Sequence, residues 1–125
     1  MTLSYDELLV KYPKLYAKLP YFECENGWIN LIDELSKKLE EINNKYPNFE
    51  DRIYAVQVKQ KFGGLRFYCY STDKIAKEDY ELKDKLIEEA EKASFTVCEV
   101  CSKPATPIKT RGWISTLCDQ CRYTK

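Results

Sequence analysis

The stretch that decides the fold is IYAVQVKQKFGGLRFYCY at residues 53–70. Apolar and aromatic residues alternate with polar ones on both sides of Gly63 and Gly64, which predicts two antiparallel strands joined by a tight turn. Both glycines are predicted to take positive φ in that turn, because glycine lacks the Cβ atom that disfavours it in other residues. The turn therefore defines a β-hairpin, and the rest of the chain is interpreted around it.

The side chains of each predicted strand divide into two faces. We expect one face of each strand to carry a shared set of residues: Tyr54, Val56 and Val58 on the first strand, and Leu65, Phe67 and Cys69 on the second. A register shift of one residue would exchange the two faces. The pattern alone therefore does not decide which face meets the core.

Two amphipathic helices are predicted to flank the hairpin. The first follows Asn26-Gly27 and ends near Asn43-Asn44, with apolar residues at helical spacing: Trp28, Leu31, Ile32, Leu35, Leu39 and Ile42. The second spans roughly residues 75–93 and has six candidates for burial: Tyr80, Leu82, Leu86, Ile87, Ala90 and Ala93. A shorter helical arm begins at Ser4, where the Ser-x-x-Glu pattern up to Glu7 predicts a capping box.

Four of the six cysteines form two Cys-x-x-Cys pairs, Cys98 with Cys101 and Cys118 with Cys121. Two such pairs separated by 15–20 residues are typical of a zinc site, because each turn supplies two sulfurs of a tetrahedron. A short strand pair at residues 107–110 and 113–117 would bring the two turns together. We expect one structural zinc ion per chain, while redox or disulfide use of these cysteines stays open. Cys24 and Cys69 are expected to be packed among aromatic side chains.

These elements predict an α+β fold, with two main helices packed on a small antiparallel β-hairpin sheet and a zinc-ribbon-like module at the C-terminal end. The predicted division is residues 1–97 for the α+β domain with its N-terminal helical arm, and residues 98–125 for the module. Metal binding explains how so short a segment folds, since it contributes about 10–16 kcal/mol in zinc-finger peptides.

The composition argues against an enzyme. The chain of 125 residues has no histidine, which excludes histidine-based triads, histidine metal ligands and imidazole proton shuttles. Four thiolates around zinc leave no open position for activating water. No secretory signal and no apolar run long enough to span a membrane are visible, so we expect a cytoplasmic protein.

The formal net charge is zero, with 20 basic and 20 acidic residues, but the charge is unevenly distributed. Residues 52–71 carry four basic side chains and no acidic one, interleaved with aromatic residues. Such a mixture favours single-stranded nucleic acid, because rings stack on bases and cations meet phosphates. About half of the aromatic residues on a half-buried strand must face the core, which weakens the prediction of nucleic-acid binding. The candidate binding surface comprises Lys59, Lys61, Arg66, Tyr68, Arg111 and Trp113.

Several blocks together resemble a family of small phage and prophage proteins. The blocks are GWINLIDEL at 27–35, VQVKQKFGGLRFY at 56–68, CEVC at 98–101 and WISTLCDQC at 113–121. Members of that family share the Gly-Trp helix start, the hairpin block and a C-terminal four-cysteine module. The resemblance implies an accessory protein acting inside an infected bacterium, and it implies no established activity. Ser102 departs from the pattern, since such modules often have glycine after the second cysteine.

Three functions remain open from the sequence. The first is a non-enzymatic zinc protein that binds and modulates or inhibits a host protein, such as a component of transcription or antiviral defence. The second is a nucleic-acid-binding regulator that uses the hairpin at 52–71 and the zinc module. The third is the binding of a small anionic nucleotide by Lys59, Lys61 and Arg66. The sequence does not determine the oligomeric state.

Overall fold

A computed structural model describes residues 3–110 and 112–123 of the chain. Within these residues lie three α-helices: α1 (Tyr5–Lys11), α2 (Ile29–Asn43) and α3 (Lys77–Ser94). Four strands form two separate antiparallel hairpins: β1 (Ile53–Lys61) with β2 (Gly64–Ser71), and β3 (Thr106–Thr110) with β4 (Trp113–Leu117). Short 3-10 turns precede α2 at Asn26–Trp28 and follow β4 at Cys121–Tyr123. The predicted α+β class is confirmed.

The first hairpin contains a β-bulge that corrects the predicted face of β1. The register shifts between Ala55 and Gln57, so Val56 has no partner opposite it. Ile53, Ala55 and Val58 are fully buried, whereas Tyr54 and Val56 are only partly buried. The prediction that Tyr54, Val56 and Val58 share one face was wrong, because the extra residue of a bulge reverses the alternation beyond it.

The turn of this hairpin also differs from the prediction. Positive φ falls on Phe62 and Gly63, at 54° and 82°, and not on Gly64. Gly64 is required for a different reason: a Cβ atom there would lie 2.3 Å from Cζ of Phe95. Two successive positive φ values match a two-residue turn whose twist follows that of the strands. The two glycines therefore serve the turn and the packing separately.

The inner face of β1 and β2 packs in one apolar core with α1, α2 and α3. The predicted apolar row is confirmed: Ile32 and Leu39 on α2 are fully buried, and so is Trp28 in the 3-10 turn that precedes the helix. One half of the predicted capping box is confirmed, since the Ser4 hydroxyl accepts a hydrogen bond from the Glu7 amide at 3.3 Å; the Glu7 carboxylate contacts the Ser4 hydroxyl, at 3.4 Å, in place of the Ser4 amide. The arm is therefore held by its cap and by the burial of Leu8 in the core.

Helix α3 buries a different row from the one predicted. Tyr80 and Leu82 are 46% and 42% exposed, while Ile87 and Ala90 are buried as expected. Polar residues occupy the remaining buried positions: Asp79, Lys83 and Ser94. Each has hydrogen-bond partners; the Ser94 hydroxyl, for example, accepts from the Leu65 amide at 2.9 Å. Apolar periodicity alone misses such positions, because satisfied polar groups tolerate burial.

A short segment before α2 covers the outer edge of β1. The Glu23 amide donates to the Val58 carbonyl at 2.8 Å, and the Gln60 amide donates to the Glu23 carbonyl at 3.3 Å. This segment thereby pairs in parallel with β1 over a single bridge. Among the described residues no helix is long and apolar enough to cross a membrane.

Candidate metal centre

The four predicted ligands come together at one end of the second hairpin. The sulfurs of Cys98, Cys101, Cys118 and Cys121 all lie within 4.8 Å of one another. The Cys101 and Cys118 sulfurs are 3.5 Å apart. A tetrahedron with bonds of about 2.3 Å places its corners about 3.8 Å apart. The spacing therefore fits a single ion, and the four thiols can hold a metal.

The two strands of the second hairpin bring the cysteine pairs into contact. The predicted strand pair at 107–110 and 113–117 is present, with β3 beginning one residue earlier; Thr106 pairs with Leu117 and Thr110 pairs with Trp113. Leu117 and Cys118 are buried, and Cys98 is fully buried. This arrangement is compatible with a zinc-ribbon-like module. Cys101 is the exposed member of the tetrad.

Ser102 completes the turn at the first cysteine pair, at a position where glycine is usual. Its φ is +74°, in the left-handed region that glycine usually occupies. The Ser102 amide donates to the Cys98 carbonyl at 3.0 Å, and the Ser102 hydroxyl donates to the Gly27 carbonyl at 2.6 Å. The departure from the expected glycine is therefore compatible with a closed turn, because the hydroxyl gains a bond that glycine could not make.

The first cysteine pair also packs directly on the start of α2. The Gly27 amide donates to the Glu99 carbonyl at 2.6 Å, and the Trp28 indole donates to the Val97 carbonyl at 2.9 Å. A Cβ atom on Gly27 would lie 2.2 Å from the Cys98 carbonyl oxygen. Only glycine allows this approach, so the Gly-Trp pair joins helix and metal centre.

A second set of contacts joins the module to the tip of the first hairpin. The Thr116 hydroxyl donates to the Gly63 carbonyl at 2.6 Å, and the Gln60 amide side chain donates to the Ile114 carbonyl at 3.3 Å. Thr116 is fully buried. The cysteine centre is therefore fixed from two sides, by the start of α2 and by the first hairpin.

Backbone amides prepare two of the thiols for ionisation. Burial opposes ionisation of Cys98, but amides of Cys118, Cys101 and Val100 outweigh it and lower the pKa of the thiol to about 6. A hydrogen bond from the Cys121 amide, at 3.4 Å, lowers the pKa of Cys118. Burial and the neighbouring sulfurs raise the pKa of Cys121 to about 12. Without a cation the four sulfurs do not all ionise, and a metal ion supplies the missing charge.

The remaining two cysteines lie away from this centre. Burial raises the pKa of Cys24 to about 11 and that of Cys69 to about 12. Both are partly buried beside the main core, as expected for packing residues. Cys24 also contacts the Tyr5 hydroxyl, with 3.4 Å between sulfur and oxygen.

The predicted binding-surface residues fall in two places. Lys59 and Arg66 are cross-strand partners on the outer face of the first hairpin, with Tyr68 beside them. Lys61 is exposed near the tip. Trp113 lies instead on β4 and is 76% exposed. Arg111 lies outside the described residues, so its predicted contribution stays a prediction.

Sequence reasoning missed a groove beside Trp113. The groove has a volume of about 600 Å³ and lies between the segment at 22–25, β1 and β4. Three carboxylates line it together with Gln60 and Trp113: those of Glu23, Glu25 and Glu99. These residues are distant in sequence, and only the docking of the module on β1 brings them together. The two glutamates on either side of Cys24 were a local signal.

Neither a family model, nor a curated protein, nor a solved structure matches this chain. Membership of the phage and prophage family therefore stays a prediction. The assignment of the candidate metal centre depends on the positions of the four cysteine sulfurs.

Proposed function

We propose that the cysteine tetrad binds one structural zinc ion. Four soft thiolates in a tetrahedral set favour zinc over harder cations, which prefer oxygen ligands. A ligand set completed by the protein also leaves no position for water or substrate. Elemental analysis of the purified protein tests this assignment, with close to one zinc per chain expected. Iron as the bound metal, or absence of any metal, would contradict it.

We further propose that the protein is a non-enzymatic phage accessory protein that binds a host protein and modulates or inhibits it. The resemblance of the hairpin and cysteine blocks to phage proteins supplies the host context. The absence of histidine from the sequence and the closed thiolate set support a binding function over a catalytic one. A rigid surface fixed by a metal suits such binding, because preorganisation lowers the cost of association.

The observation that carries this proposal is the exposure of Trp113 at the groove. An indole that is 76% exposed is costly to leave in water, and tryptophan is among the residues most enriched at interface hot spots. The described residues that line the groove include three glutamates and no basic residue. The partner that complements it is a protein segment with a lysine or arginine side chain, held by the carboxylates and the indole face.

Affinity capture with the zinc-loaded protein tests the proposal. Extract from an infected or expressing bacterium is passed over the immobilised chain, and bound proteins are identified by mass spectrometry. We expect one specific partner that is lost with Trp113→Ala and weakened with Glu25→Gln. Tyr80→Ala on α3 is the matched control, because Tyr80 is also an exposed aromatic residue but does not line the groove.

Two outcomes would contradict host-protein binding at this groove. One is recovery of background proteins only. The other is a partner captured equally well by Trp113→Ala and by the unchanged protein.

A further inference from the structure

We propose that the outer face of the first hairpin is a binding surface for single-stranded nucleic acid, independent of the groove beside Trp113. This face is the side of β1 and β2 turned away from the apolar core. Its cross-strand pairs are Tyr54 with Tyr70, Gln57 with Tyr68, and Lys59 with Arg66. Aromatic and basic residues therefore occupy consecutive positions on one side of one sheet.

The structure removes the main objection from the sequence, which was that about half of the aromatic residues would be buried. Of the two strands' aromatic side chains, only Phe67 is in the core. Tyr68 and Tyr70 are 38% and 57% exposed, and Tyr54 is partly exposed. The bulge at Val56 keeps Gln57 opposite Tyr68 and Lys59 opposite Arg66. It thereby assembles the aromatic and basic residues on the same face.

Aromatic spacing on this face suits successive bases. Tyr68 and Tyr70 are two residues apart on one strand, which separates their Cα atoms by about 6.8 Å along the sheet. The rings of Tyr54 and Tyr70 have centroids 6.2 Å apart and are tilted by 53°, so they do not stack closely on each other. Tyr70 and Tyr68 are the exposed rings of this face and can each receive a base on their solvent side, and unpaired bases stack on such rings without sequence preference.

Positive charge accompanies the rings. Lys59 has its Nζ atom 5.6 Å from the Tyr68 ring centroid, and Lys18 has its Nζ atom 4.9 Å from that of Tyr54. Arg52 lies 5.7 Å from the same Tyr54 ring. These cations are held beside the stacking positions, where the phosphates of a strand lying across the rings would pass.

Few acidic groups oppose this charge. The sequences of β1 and β2 contain no aspartate or glutamate. One carboxylate lies at each edge of the hairpin: that of Glu23 accepts a hydrogen bond from the Gln57 side chain at 3.0 Å, and that of Glu91 accepts one from the Phe67 amide at 2.9 Å. Among the described residues, Lys59, Lys61 and Arg66 take part in none of the ion pairs. Their charge is therefore available to phosphate.

Fluorescence anisotropy with labelled oligonucleotides tests the inference on the zinc-loaded full chain. The probes are oligothymidylate and oligouridylate of about twelve nucleotides, together with a duplex of equal length. We expect both single strands to bind more tightly than the duplex, because paired bases cannot lie on the rings. Affinity should fall steeply between about 50 mM and about 200 mM salt, since bound phosphates release counterions. Comparison of the two single strands distinguishes DNA from RNA.

Variants separate stacking from charge. Tyr70→Ala should weaken binding by about 5-fold to 150-fold, whereas Tyr70→Phe should retain it because the ring remains. Lys59→Gln and Arg66→Gln should each reduce the slope of log K against log salt by about 0.7. Tyr80→Ala and Lys77→Gln on α3 are the matched controls, since both alter exposed residues of the same types on another element. Neither control should change binding.

Three results would overturn the inference. The first is absence of binding at low salt. The second is equal affinity for duplex and single strand or an unchanged affinity in Tyr70→Ala. The third is full competition by a free mononucleotide at the same affinity, which would indicate a small anion site. Trp113→Ala changes the groove and leaves the outer face of the first hairpin unchanged. This variant should therefore lose protein capture and keep nucleic-acid binding, which separates the two proposals.

Discussion

The two hairpins of this protein are held together in different ways. The first, β1–β2, contributes Ile53, Val58 and Leu65 to a core shared with all three helices. The second, β3–β4, belongs to a small separate cluster in which the described buried members are Cys98, Leu117 and Cys118. Burial of apolar area stabilises the first hairpin, whereas the cysteine centre must stabilise the second.

The difference between the two hairpins shows how the five-residue strands β3 and β4 can form a stable structure. An isolated two-stranded hairpin is only marginally stable in water. The second hairpin gains order from its cysteine pairs and from contacts with Gly27 and Gly63. It can therefore expose Trp113 on β4, because its fold does not depend on burying that indole.

Removal of a metal ligand should have the largest effect. With Cys118→Ser we expect loss of metal and unfolding of the second hairpin, since structural zinc contributes about 10–16 kcal/mol in comparable small modules. The first hairpin should persist, because its core cluster lies outside the cysteine centre. Amide hydrogen exchange measures both regions in one sample. Ser115→Ala on β4 is the control and should keep its metal; equal protection of both hairpins in Cys118→Ser would contradict the comparison.

Acidification should have the second-largest effect, because it should release the metal and thereby destabilise the second hairpin. The pKa of the Cys98 thiol is about 6 in the folded protein, below its usual value of 9.0. Ionisation of this thiol therefore stabilises the folded state, and the stabilisation is complete above pH 9. It is lost as the pH falls through about 6. Bound metal is displaced as protons compete for the sulfurs. A colorimetric chelator measures the release of the metal. Metal retained at about pH 4 would contradict this expectation.

A cavity in the first hairpin should destabilise the body of the protein. Leu65 is fully buried, so Leu65→Ala should lower the free energy of unfolding by about 2–5 kcal/mol. Ile108→Ala on β3 is the matched test, and because Ile108 is only partly buried we expect a loss of about 1 kcal/mol. Denaturant unfolding of the zinc-loaded proteins measures both. A similar decrease in the free energy of unfolding in both variants would contradict the proposal that apolar burial stabilises the first hairpin more than the second.

A substitution at the junction should have a smaller effect on stability than the loss of a cysteine of the tetrad or of the Leu65 side chain. Gly27→Ala places a Cβ atom against the Cys98 carbonyl, and overpacking of this kind costs about 1–3 kcal/mol. Metal affinity should fall as well, because the first cysteine pair must move. Asn26→Ala, at the exposed neighbouring position, should change neither quantity. Thermal unfolding and competition with a zinc chelator supply the two measurements, and an unchanged metal affinity in Gly27→Ala would show that the junction does not support the centre.

Much of this architecture could be predicted from local sequence. The Gly-Gly hairpin, the apolar row on α2 and the pairing of Thr110 with Trp113 follow from patterns within a few residues. The clustering of the four cysteines was predicted from their spacing alone. Such features depend on backbone preference and on ligand geometry, both of which act over short distances in the chain.

The features that could not be predicted depend on distant contacts. The bulge at Val56 leaves no local signal, and it decides which side of β1 faces the core. Exposure of Tyr80 and Leu82 follows from burial of Asp79 and Lys83, whose partners lie on other elements. The groove at Trp113 requires the module to dock on β1. In each case tertiary packing overrides the local periodicity.

The bond from Ser102 to Gly27 has a consequence for how the protein matures. It joins residues 75 positions apart, so the Ser102 hydroxyl gains this partner only when the start of α2 is in place. During synthesis, residue 27 emerges from the ribosome well before residue 102, and chains generally fold from the N-terminal side first. The metal would then be captured late, by a template already built. Zinc occupancy would report whether the earlier part of the chain has folded correctly.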